Sequence, residues 1–124
     1  MKKTAATDAV AAPSNHTLKE EKMDPQKLVE HFSMSPHPEG GFFAETYRSQ
    51  GAIPADALPG FGGTRNFSTG ILFILRRGEY SHLHRLKQDE MWHFYLGAPL
   101  RLAIVRPDGT AEEILLGQDV LNGQ

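Results

Sequence analysis

Between Gly78 and Gly97 the sequence places four side chains that can move protons or hold a metal: His82, His84, Glu90 and His93. Side chains on a strand alternate between its two faces, so His82 and His84 are expected to point the same way. Two imidazoles on one face can ligate a single metal ion. Glu90 falls on the next predicted strand and is expected to face them across the ladder. Two histidines and a carboxylate suit a divalent metal such as iron, zinc, nickel or manganese, with positions left for substrate or water. His93 comes three residues after Glu90. A regular strand turns it to the other face, and only a bulge brings it in.

The same residues support two other chemistries. Without metal, His84 is the candidate base and Glu90 or Tyr47 its partner, because imidazole titrates nearest neutral pH. Without catalysis, the cluster is a polar pocket whose members hydrogen-bond to one another and to a small-molecule ligand. Glu45 and Tyr47 share one face of a predicted strand over 42–48 with Phe43. An acidic side chain there is costly unless paired or functional, so both are assigned to the ligand site. Thr69, Trp92 and His93 are the remaining candidates for ligand contact. Trp92 and Phe94 share the Glu90 face, where they either pack in the core or stack on ligand. Metal-dependent catalysis, metal-free isomerisation or epimerisation of a sugar or sugar nucleotide, and plain binding all stay open.

These residues need a frame. A helix is predicted near Asp24 to Met34, with Asp24 as N-cap, Pro25 at the first helical position, and Leu28, Val29 and Phe32 on one face. Ser35-Pro36-His37-Pro38 ends it, and Pro38-Glu39-Gly40-Gly41 signals a turn. From there the chain reads as β. Strands are predicted over 42–48, over the apolar run 67–76 (buried on both sides), and near 80–86, 90–96, 100–105 and 111–116. Gly97-Ala98-Pro99 and Pro107-Asp108-Gly109 punctuate them. Residues 49–64 form a long loop with four glycines and two prolines. Leu100, Leu102 and Ile104 alternate as core residues. Short strands at this spacing predict an all-β sandwich or barrel behind a short N-terminal helix.

The 124 residues suffice for one domain with a real core. Residues 1–22 are Ala-, Thr- and Ser-rich and are expected to be a disordered leader, with the domain over 23–124. Thirteen basic against fifteen acidic residues give a formal charge of −2, which argues against nucleic acid as the partner. Cysteine is absent, which excludes disulfides, thiolate metal sites and a cysteine nucleophile. No apolar run reaches about 18 residues, so no membrane-spanning helix is expected. Missing signals and missing cysteine point to the cytoplasm.

Gly78-x3-His82-x-His84-x5-Glu90-x6-Gly97 resembles a variant of the first cupin motif. Within the cupins the chain resembles the DUF985 (Cupin_5) family of unknown function, on three stretches. They run from His37-Pro38-Glu39-Gly40-Gly41 through Tyr47-Arg48-Ser49, over Ser81-His82-Leu83-His84-Arg85-Leu86, and from Asp89-Glu90-Met91-Trp92 to Gly97. Pro107-Asp108-Gly109 and Leu116-Gly117 extend the likeness to roughly residues 25–124. The resemblance implies a cupin-type jelly-roll β-barrel with a central pocket, commonly a homodimer, and no settled reaction. It also implies that His82, His84 and Glu90 stand at the first-motif metal-ligand positions. Gly117 to Gln124 resembles the approach to the second motif, which brings a further histidine, yet no histidine follows His93. The C-terminal strands are therefore expected to be truncated relative to the family. Open strand edges would favour association.

Overall fold

A computed structural model describes residues 24–124; the expected leader over 1–22 lies outside the described residues. The first element is helix α1 (Pro25–His31). The Asp24 side chain accepts a hydrogen bond from the Gln26 backbone N–H at 2.9 Å, which satisfies one of the amides that a helix start leaves unpaired. The helix stops short of the expected Met34. Phe32 is the C-cap and Ser33 takes a left-handed φ of 50°. The turn swings Met34 back, where its N–H donates to the Val29 carbonyl at 2.9 Å. Val29 and Met34 are thereby the buried apolar pair. Phe32 is left 42% exposed, so it does not share the buried face with Leu28 and Val29.

Seven strands follow: β1 (Ser35–Pro36), β2 (Phe42–Arg48), β3 (Ala52–Ile53), β4 (Arg65–Asn66), β5 (Thr69–Ile74), β6 (Leu100–Val105) and β7 (Ala111–Leu116). They make three antiparallel sheets, ordered β1-β2-β5, β3-β4 and β6-β7. The chain is thus strand-rich with one short α-helix, and its described strands do not close into a barrel. No helix among the described residues is long and apolar enough to cross a membrane.

Strands β2, β6 and β7 keep the bounds their alternation and flanking turns predict. The expected loop over 49–64 instead carries β3 and a 3-10 turn at Ala55–Ala57. Strand β5 is shorter than 67–76 and is not buried on both sides, since Ile71 is 42% exposed. Ile104, expected in the core, is also exposed, because among the described residues no other strand or helix packs closely on the β6-β7 pair. The segments 80–86 and 90–96 form no strand. A strand needs a ladder partner for its amides. Here the His82 N–H goes to the Glu39 carbonyl in the β1–β2 turn instead, at 2.7 Å.

One irregularity in β2 decides which residues can meet. Glu45 pairs with Ile71, but Tyr47 pairs with Gly70, so two residues of β2 advance against one of β5. Thr46 is the extra residue of a β-bulge. Beyond a bulge the faces invert relative to the partner strand. Glu45 stays on the face of Phe43, Ile71 and Phe73, whereas Tyr47 moves to the other. The predicted face of Phe43, Glu45 and Tyr47 is therefore broken. Arg48 comes round to the Glu45 side, and its Nε donates to Glu45 Oε1 at 2.8 Å, an i,i+3 contact that a regular strand would forbid.

Candidate functional site

The β1–β2 turn builds one wall of the site. The His37 N–H donates to the Gly41 carbonyl at 2.9 Å and the Gly40 N–H to the His37 carbonyl at 3.0 Å. Gly40 has φ +112°, and a Cβ there would strike the Tyr80 carbonyl oxygen. Glycine is thus what lets this turn lie against residues 80–82.

That approach orders the histidines. The Glu39 carbonyl oxygen lies 2.7 Å from both the backbone N and the Nδ1 of His82. A carbonyl only accepts, so Nδ1 of His82 carries the proton and its Nε2 keeps the lone pair when the ring is neutral. Likewise His84 Nδ1 lies 2.7 Å from the His82 carbonyl and must donate to it. His84 Nε2 then faces Glu39 Oε2 at 3.4 Å. On the other side, His37 Nδ1 accepts the Glu39 N–H at 3.2 Å and stands 3.5 Å from the same carboxylate oxygen.

Aromatic contacts hold this group against β5. The His37 ring meets Phe43 edge-on at 5.0 Å and Phe73 at 5.3 Å, and Phe73 meets Trp92 edge-on at 5.6 Å between centroids. The Trp92 indole N–H donates to Glu90 Oε2 at 2.7 Å. Between these elements lies an open cleft of about 220 Å³. Its apolar walls are Ile71, Phe73, Leu86 and Trp92. Its polar groups are His37, Glu39, Ser81, His84 and Glu90.

Of the sequence candidates, His84, Glu90 and Trp92 line this cleft. His82 stands behind it, holding the Glu39 carbonyl. Glu45, Tyr47, Thr69 and His93 are not among its lining residues. Glu45 is engaged by Arg48, whose side-chain hydrogen bond holds the Glu45 carboxyl below the usual carboxylate range. Tyr47 is on the far side of the bulge. His37, Glu39 and Ser81 are the polar lining residues that the candidate set lacks. The signal for the first two was a pair of ionisable residues two apart in a glycine turn, which reads first as a turn.

A metal implied by cupin resemblance does not fit these positions. Among the described residues no three His, Asp or Glu side chains are grouped so as to hold a metal ion. His84 Nε2 is turned to Glu39, and one Glu90 oxygen is taken by Trp92. The arrangement can instead accept hydrogen bonds, exchange a proton through His84, and pack a small apolar body.

The family model described as Cupin superfamily (DUF985) matches residues 26–124. A hypothetical protein from Leishmania major is 29% identical with a TM-score of 0.68, and a protein from Shewanella oneidensis is 35% identical with a TM-score of 0.69. Each match covers 80% of this chain, but 60% and 58% of those proteins respectively. The chain therefore spans about three-fifths of the length of these solved relatives. No curated protein matches.

Proposed function

The chain belongs to the DUF985 family of the cupin superfamily, and on that premise we propose that it binds a small molecule in the cleft at His84 and Glu90. Cupin superfamily membership supports small-molecule binding. The observation that carries the site assignment is that Glu39, His84 and Glu90 line one open cleft together with the Phe73 and Trp92 rings. Pockets of this type join apolar walls to a few placed polar groups. The frame in this reading is a cupin-type jelly roll, with β1-β2-β5 and β6-β7 as portions of its sheets.

The test is a small-molecule screen read by amide and indole NMR. A binder is expected to move the Trp92 indole N–H and the Ser81 and His84 amides saturably, and to bind more weakly to His84→Ala. A ligand whose shifts map to β6-β7, unaffected by His84→Ala, would refute the site.

A second reading is a metal-free isomerase or epimerase acting on a sugar. It is favoured by the fixed His84 ring, whose Nε2 lone pair is available as a base. Glu39 replaces Tyr47 as its partner, on the evidence of the 3.4 Å contact. Hydrogen exchange from solvent into a bound sugar, lost in His84→Gln, is the expected signature. A binder that gains no solvent deuterium rejects this reading and leaves the binding function in place.

A further inference from the structure

The hydrogen-bond roles around Glu39 do not balance. His84 Nδ1 is committed as a donor to the His82 carbonyl, so a neutral His84 presents a lone pair to the Glu39 carboxylate at 3.4 Å. His37 Nδ1 commits its one lone pair to the Glu39 N–H, although it also stands 3.5 Å from the same carboxylate oxygen. With His84 neutral, its Nε2 and the Glu39 carboxylate are therefore two acceptors facing each other with no proton between them. Glu90 adds a further acceptor, since Trp92 occupies its Oε2 only. No lysine or arginine is among the lining residues. A group entering here must bring hydrogen-bond donors, and the field of two carboxylates favours one that brings positive charge. The rings of Phe73 and Trp92 on the adjoining wall suit the same kind of ligand, because aromatic faces attract cations and pack flat bodies.

Resting on the binding reading above, we infer that the cleft selects a small organic cation, an ammonium group on a flat or apolar body, over anionic ligands. The ammonium N–H groups bridge Glu39 to the lone pair of His84, and the body lies against Phe73 and Trp92. Phosphate- and carboxylate-bearing molecules meet the Glu39 and Glu90 carboxylates and the His84 lone pair, with the Ser81 hydroxyl as a side-chain donor left uncommitted, and are disfavoured.

Three probes with one body and different heads test this: benzylamine, benzyl alcohol and benzoate. They are titrated into the full chain at about pH 8, above the ordinary imidazole range, with the Trp92 indole N–H as the NMR readout. Benzylamine is expected to shift that signal saturably, benzyl alcohol to bind about tenfold more weakly, and benzoate not to bind. Glu39→Gln keeps the backbone carbonyl that orders His82 and removes the charge. It is expected to weaken benzylamine about tenfold. Equal binding of amine and alcohol, binding of benzoate in the cleft, or an unchanged affinity in Glu39→Gln would overturn the charge selection while leaving the cleft as the binding site. If none of the three moves the Trp92 signal, the cleft assignment falls with it.

Discussion

Replacing Gly40 with alanine is expected to disturb the site more than any single loss of contact within it. Gly40 sits at φ +112°, and a side chain held in such a region costs about 1–3 kcal/mol. Its Cβ would also collide with the Tyr80 carbonyl oxygen, a backbone atom that cannot swing aside. Relief requires moving residues 80–82 away from the turn. That movement breaks the His82 N–H bond to Glu39 and the Nδ1 bond to the same oxygen, each worth about 0.5–1.5 kcal/mol. The expected loss is about 2–6 kcal/mol, which for a chain of this size lowers Tm by about 10–30 °C. Gly60 provides the control. Its φ is +92°, but a Cβ there would meet nothing within 4 Å. Gly60→Ala therefore carries the backbone strain without the collision and should cost about half as much. Urea unfolding gives the two stabilities, and hydrogen exchange at the His82 amide reports the contact. If both variants agree within about 0.5 kcal/mol and the His82 amide stays equally protected, the turn does not hold the histidine segment and the reasoning is wrong.

Other outcomes follow from single features. Asp24→Ala removes the cap of α1 and should cost about 1 kcal/mol in urea unfolding; no change would mean that the helix end draws nothing from the cap. The Arg76 side chain and backbone hold the Glu79 carboxyl below the usual carboxylate range. A lowered folded pKa stabilises above the unfolded carboxylate range, and that contribution is lost as pH falls through the folded value. Glu79→Gln should thus lower Tm slightly at neutral pH and converge with wild type in acid; parallel curves would refute the pairing. Elemental analysis after dialysis without chelator is expected to find well under one iron, zinc, nickel or manganese per chain; a stoichiometric metal lost in the His82 and His84 double alanine variant would contradict the misfit of these donors. Leu83, Met91 and Tyr95 are 74%, 79% and 70% exposed, so sedimentation is expected to show self-association, in line with the expected homodimer; a stable monomer would count against it.

Local signals account for what was legible. Asp24-Pro25 writes its own helix start, because a side chain caps amides two residues away. The bounds of β2, β6 and β7 follow from alternation between Gly- and Pro-bearing turns. His84, Glu90 and Trp92 were legible as site candidates because an imidazole pair, a nearby carboxylate and an indole are residue types that carry chemistry or ligand contact. The segments around them, 80–86 and 90–96, have the pattern of strands and form none. Their composition suits a ladder, but composition does not supply a partner, and in the structure His82 bonds to the β1–β2 turn instead.

Two decisions belong to tertiary structure alone. The bulge at Thr46 parts Tyr47 from Glu45, and it exists only as a mismatch between β2 and β5. No pattern within β2 contains it. The meeting of Glu39 with His82 and His84 spans 43 residues for the first of these contacts. It depends on Gly40 allowing two backbones to touch. The amino-acid sequence by itself determined which chemistry was available, namely imidazoles, carboxylates and aromatic rings on a β frame. Which of them face each other, and with which nitrogen, was decided by register and close approach, because proton donors and acceptors are matched across space rather than along the chain.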